Sequence, residues 1–183
     1  MDQDLPTTEL AVRAFAKSGG TLHGAAPLSA FARVASDCEA AGVGRVVEWS
    51  AAGAMSAGAR DTAQPLLHLR ADTVLALVCQ RCLEPLDVAV AVDQWFRFVA
   101  DEETAAVQDD DSPQDLLVES PHFDLRALLE DELVLAMPLV PLHPACPTTP
   151  RLSTRDPGFD DADDPRPHPF AALAGLKPAG RKG

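Results

Sequence analysis

Two runs of strand-like sequence flank Val78-Cys79-Gln80-Arg81-Cys82-Leu83-Glu84-Pro85, and this arrangement constrains the fold more than any other feature of the chain. Over 66–78, Leu67 and Leu69 alternate with His68 and Arg70. After Ala71-Asp72 the every-second-residue pattern is expected to continue through Val74, Ala76 and Val78. Downstream, Leu86, Val88, Val90, Val92, Phe96 and Phe98 share one parity, interrupted by Gln94, while Asp87, Asp93 and Arg97 take the other. A period of two with one apolar side describes strands buried on one face. Glu84-Pro85 breaks the run, and the strands lie close in sequence. The economical pairing is therefore an antiparallel hairpin carrying both cysteines at or near its tip.

A chain of 183 residues, 46% of them hydrophobic, has material for one real core. The expected organisation is a single domain over 1–150, followed by an acidic linker and a short amphipathic segment over 151–183. No apolar run approaches the roughly 18 residues of a membrane helix, and Asp2, Asp4 and Glu9 stand where a secretory signal would be basic and then apolar. Four cysteines, two of them in C-x-x-C, fit a reducing compartment better than a disulfide framework. The expectation is a cytoplasmic protein with no membrane partner. Its net charge is −13, and the acid is concentrated in the second half, where residues 101–183 hold 17 acids against 7 Lys/Arg. Such a chain repels a phosphate backbone at long range and attracts basic proteins.

In the N-terminal part, 9–17 reads as a short strand or a helical turn. Ser29 is placed to cap a helix with Phe31, Val34, Ala35 and Cys38 on one face, ending near Gly42. Cys38 is read as a small core residue. In 45–57, Val47, Trp49 and Ala51 alternate like a strand. Residues 101–119 carry eight acids and no Lys or Arg, sustain neither period, and read as a mobile acidic loop. The aspartate triplet lacks the glycine of a calcium loop.

Asp124 is the expected N-cap of a second helix, stopped by Pro138, with Leu125, Leu128, Leu129, Leu133 and Ala136 on its buried face and Val134 and Leu135 widening it. Glu130, Asp131 and Glu132 lie mostly on its solvated side. Glu130 and Asp131 are candidate contacts for a basic partner. The proline-rich run 138–150 is extended and pinned to the core by its apolar residues. After the acidic 151–166 stretch, Phe170, Leu173 and Leu176 are spaced for one helical face and are the candidate docking residues of the C-terminal segment.

Three blocks in order, the C-x-x-C stretch 78–85, the 124–143 block with Leu129-Glu130-Asp131-Glu132-Leu133, and Pro169-Phe170-Ala171-Ala172-Leu173-Ala174-Gly175-Leu176-Lys177, resemble the YceD family of bacterial proteins. The resemblance runs over about residues 28–177, by pattern rather than motif in the N-terminal third. It implies a role in accumulation of large-subunit (23S) ribosomal RNA and in ribosome biogenesis, with no established catalytic activity and no settled set of RNA-binding residues.

Three readings stay open for Cys79 and Cys82. They are half of a zinc site, since a tetrahedral site usually takes two such pairs, and His143 with Cys146 offers an H-x-x-C about 60 residues on. Some members of the family carry further cysteines after this helix. A redox dithiol would need the motif at the start of a helix, which the following strand denies. The third reading is two thiols in a tight turn. Ser56 lacks the first glycine of a nucleophile elbow, Ala54 standing in its place, and no phosphate loop, H-E-x-x-H or dinucleotide fingerprint is present.

These readings converge on an α+β domain with a mostly antiparallel sheet, a central hairpin carrying C-x-x-C, two covering helices, an acidic loop and a tethered C-terminal segment. The expected protein is non-catalytic and takes no small-molecule substrate. Its partners are a ribosomal or ribosome-assembly protein, the 23S rRNA precursor, or both. The alternative is a zinc-stabilised adaptor that binds a basic protein and touches no RNA.

Overall fold

The computed structural model describes residues 5–57, 63–148, 154 and 170. The chain divides into two units, Met1–Thr149 and Pro150–Gly183. The linker and the docking residues Leu173 and Leu176 lie outside the described residues, and every described helix and strand belongs to the first unit.

The expected hairpin is the centre of the fold. β3 (Pro65–Val78) and β4 (Pro85–Val99) pair antiparallel over 13 registered positions, from Leu66 opposite Arg97 to Val78 opposite Pro85. β1 (Thr21–Pro27) and β2 (Val46–Met55) extend the sheet antiparallel on the β3 side, so four consecutive strands are neighbours in space. β5 (Asp115–Val118) joins β4 parallel over Phe96–Val99, giving the order β1-β2-β3-β4-β5.

One face of this sheet is the core. It collects Val47, Trp49 and Ala51 from β2, Leu67, Leu69, Ala71 and Leu75 from β3, and Val90, Val92, Phe96 and Phe98 from β4. On β3 the buried parity is unbroken from Leu67 to Leu77, so the expected continuation through Val74 and Val78 is wrong for Val74, which is 41% exposed. Thr73 occupies the buried position instead. Its hydroxyl donates to the Val46 carbonyl at 2.9 Å, and burial without a lost hydrogen bond is what makes a threonine acceptable there.

Three of the described helices contribute buried side chains to that core. α1 (Val12–Ser18) packs on β2, where a Cβ at Gly53 would come within 2.7 Å of the Phe15 ring, so no larger residue fits. α4 (Leu125–Ala136) lies over β3 and β4, capped as expected by Asp124, whose carboxylate accepts from the Ala127 N–H at 2.8 Å. Leu125, Leu128, Leu129 and Leu133 are buried. Ala136 and Leu135 are exposed, Leu135 by 76%, because the last turn carries them off the core.

The helix expected over 29–42 is broken into a 3-10 turn (Leu28–Ala30), the five-residue α2 (Ala32–Ser36) and a second 3-10 turn (Ala40–Gly42), with no side-chain cap from Ser29. Tertiary hydrogen bonds interrupt it: the Ser29 N–H donates to the Val43 carbonyl and the Glu39 N–H to that of Ala76. Phe31 and Val34 are fully buried, as expected, and Cys38 packs half-buried against the core.

The acidic 101–119 segment is inserted between β4 and α4, but it is ordered into α3 (Glu102–Gln108), a 3-10 turn (Asp109–Asp111) and β5. Asp101 caps α3 by accepting from the Thr104 N–H at 2.8 Å, and Glu102 and Glu103 fall in the first turn, where the helix dipole favours negative charge. Among the described residues no helix is long and apolar enough to cross a membrane.

A candidate metal centre at the hairpin tip

The six residues between β3 and β4 form a knuckle. The Cys79 N–H donates to the Glu84 carbonyl at 3.0 Å, and the Leu83 N–H donates back to the Cys79 carbonyl at 2.9 Å. To close this turn Leu83 adopts φ 62°, alone among the described non-glycine residues in having a positive φ. A leucine in the left-handed region is disfavoured by its Cβ, so the surrounding bonds must hold it there.

Beyond α4, Pro138 ends the helix and the proline-rich strap returns to this knuckle. The Gln80 N–H donates to the Pro141 carbonyl at 2.9 Å, and the His143 N–H points to the Cys79 sulfur at 3.4 Å. Cys79, Cys82, His143 and Cys146 thereby come together, with one ligand atom from each lying within 4.8 Å of all the others. Cys82 Sγ and His143 Nδ1 are 3.4 Å apart. A tetrahedron drawn with zinc–sulfur bonds of about 2.3 Å has edges of about 3.8 Å, so these four residues fit a tetrahedral ion after small side-chain adjustments. The set can hold a metal ion.

The electrostatics suit a cation. Cys79 is fully buried, which by itself raises a thiol pKa. The N–H groups of His143, Cys82 and Arg81 turned toward its sulfur more than reverse this and hold it at about 5, so the site contains a thiolate at neutral pH. Cys146 is pushed the other way, to about 11, by burial and by the neighbouring Cys82 and Cys79 sulfurs. Crowded sulfurs that cannot all ionise together are what a divalent cation stabilises. A low-pKa thiol is also a nucleophile, but Cys79 has no exposed surface and sits in a strand-to-strand turn rather than at a helix start. Cys38 lies outside the cluster, and all four cysteines are free.

The other residues singled out in the sequence fall elsewhere. Glu130 accepts from the Arg33 backbone N–H at 2.7 Å, and the Arg33 guanidinium reaches both Glu130 and Asp131, tying α2 to α4. Both acids therefore already hold an internal cation. Phe170 is 67% exposed. The backbone N–H groups that tune Cys79 had no signal in the residue pattern, since they follow from the turn's geometry.

Among known proteins, the family model described as "Large ribosomal RNA subunit accumulation protein YceD" matches residues 67–177, from β3 into the C-terminal segment. The matched span does not include residues 28–66, where the resemblance was one of pattern. A protein of Haemophilus influenzae with that same name is 35% identical over 112 residues, covering 55% of this chain and 59% of the relative, so the chain spans about three fifths of that relative's length. No solved structure matches. With nearly all of the hairpin and the whole of the knuckle, α4 and the strap inside the matched span, the chain belongs to the YceD family.

Proposed function

We propose that this protein is a non-catalytic factor supporting 23S ribosomal RNA accumulation and large ribosomal subunit biogenesis. The observation that carries this reading is the family match over 67–177, whose printed name describes accumulation of the large ribosomal RNA subunit. In this reading Cys79, Cys82, His143 and Cys146 hold a structural zinc ion, which would join the β3–β4 turn to the strap after α4. Four protein donors leave a tetrahedral ion no open position, which suits structure rather than catalysis.

The direct partner is a basic ribosomal or ribosome-assembly protein, the 23S rRNA precursor, or both, with the charge of −13 favouring the protein. Glu130, Asp131, Phe170, Leu173 and Leu176 remain the proposed partner contacts, with the difference that Glu130 and Asp131 must exchange or share Arg33 to act. The second reading, a zinc-stabilised adaptor that contacts a basic protein and no RNA, is favoured by the donor cluster together with the acidic surface.

The test is a strain lacking the gene in its own host. It should show a reduced ratio of 23S to 16S RNA, restored by the wild-type chain and not by Cys79→Ser. An unchanged ratio on deletion would remove the proposal. Crosslinking to RNA in cells, set against co-purification of a protein that survives nuclease, separates the two readings.

A further inference from the structure

β4 is paired on one side by β3 along its length, whereas on its other side β5 reaches only Phe96–Val99. Among the described residues no backbone hydrogen bond meets that side of β4 over 86–94. The stretch Leu86-Asp87-Val88-Ala89-Val90-Ala91-Val92-Asp93-Gln94 contains no proline or lysine, and Asp87 and Asp93 are its only charges. At the opposite edge of the sheet β1 carries both Gly24 and Pro27. A nine-residue edge with a charge only near each end is a template for another strand.

The surroundings form a trough rather than a cover. Glu132 and Leu135 of α4 line it beside Ala91–Gln94, and Val140 and Leu142 of the strap line it beside Leu86–Ala89. Leu135 and Val140 are 76% and 58% exposed. The strap cannot close the edge as a regular strand, because Pro138, Pro141 and Pro144 lack N–H groups and the His143 N–H is turned to Cys79.

We propose that the open edge of β4 takes up an extended segment of a basic protein as an added strand in line with β5. Alternation sets its chemistry: every second side chain faces the apolar walls at Leu135 and Val140, and the intervening ones face the side of Asp87 and Asp93, where an incoming cation must share Asp87 with Arg45 and Asp93 with His68 and Arg70. The segment therefore alternates apolar residues with Lys or Arg. Glu132 stands on the same wall near Asp115 and Asp131 and has no ion pair among the described residues, so a cation on the incoming strand would be its first partner there. This deepens the proposed function by naming the surface for its protein partner, and it rests on that reading.

The test uses the full chain and a synthetic peptide of about nine residues alternating lysine and valine, the length of the open edge at ~3.3 Å per residue. Binding should slow amide hydrogen exchange over 86–94. N-methylation at alternate peptide positions, which leaves charge intact, should weaken affinity roughly tenfold or more, as loss of main-chain bonds requires. Leu135→Ser and Glu132→Gln, both on the surface of α4, should each weaken it about threefold. The proposal is overturned if the N-methylated peptide binds equally well, if free-protein amides over 86–94 exchange as slowly as those of β3, or if single-stranded RNA protects the same amides. Failure here with a persisting 23S deficit in the deletion strain removes the surface and leaves the function. Peptide binding without a 23S deficit does the reverse.

Discussion

Cys79 shows how a turn converts an ordinary residue into a candidate metal ligand. Burial alone would keep its proton on, but three backbone N–H groups draw it off, so the sulfur is a thiolate before any ion arrives. Purified reduced protein should carry about one zinc per chain, and Cys79→Ser should lose both the metal and stability. Metal analysis and thermal melts decide this, and a metal-free, fully folded wild type would end the zinc reading. Glu132 gives a second residue-scale expectation. Its pKa is raised in the folded protein by burial and then by Asp115 and Asp131, so the folded state holds the proton more tightly than the unfolded chain does. Its contribution is therefore greatest below the unfolded-state value and is lost as pH rises through the raised folded value. Glu132→Gln should raise Tm at about pH 7 and leave it nearly unchanged at about pH 4. Equal shifts at both pH values would point to packing instead of charge. The four clustered positions were legible because C-x-x-C and H-x-x-C are local spacings, but the hold on the strap was misread: Leu139, Val140 and Leu142 are exposed rather than pinned to the core, and the strap meets the knuckle through the bond from the Gln80 N–H to the Pro141 carbonyl.

At the scale of elements, α4 is the main lid of the core. Leu129→Ala and Leu133→Ala should each cost about 2–5 kcal/mol in denaturant unfolding, since each leaves a cavity under a fully buried side chain. Leu135→Ala on the overhanging last turn should cost less than about 0.5 kcal/mol. Losses that small at both core positions would mean the helix does not pack as described. β3, β4 and α4 were readable because their periods run long enough to exceed noise. β5 was not, since four residues make only two cycles of alternation and a parallel partner leaves no turn signal. α3 was missed for a different reason. Its cap, Asp101, and its acidic first turn are ordinary helix-start signals, but they were submerged in a run of acids that also describes disorder. On β3, the hydroxyl of Thr73 disguised a core position, and a phase change was read where none exists.

For the whole molecule, the acidic excess is partly organised rather than diffuse, because α3, its cap and the turn after it present six exposed carboxylates on a folded insertion. If a basic protein is the partner, neutralising Glu103, Asp109, Asp110 and Asp111 should slow its association and weaken the salt dependence, while Phe170→Ala should mainly speed dissociation. Stopped-flow binding to the co-purifying protein measures both. Tight binding of bare large-subunit RNA at about 0.15 M salt, untouched by these substitutions, would instead make RNA the direct partner.

The run of β1 to β4 as spatial neighbours in sequence order bears on how the molecule assembles. Each of β2, β3 and β4 finds its partner immediately upstream in the chain, so the sheet can grow as the polypeptide emerges, with little loop entropy to overcome at any step. His143 and Cys146 follow α4 in the chain, so they are the last of the four clustered residues to be made. On the zinc reading, an ion held by all four donors would therefore report that the hairpin and the strap have both been made and have met.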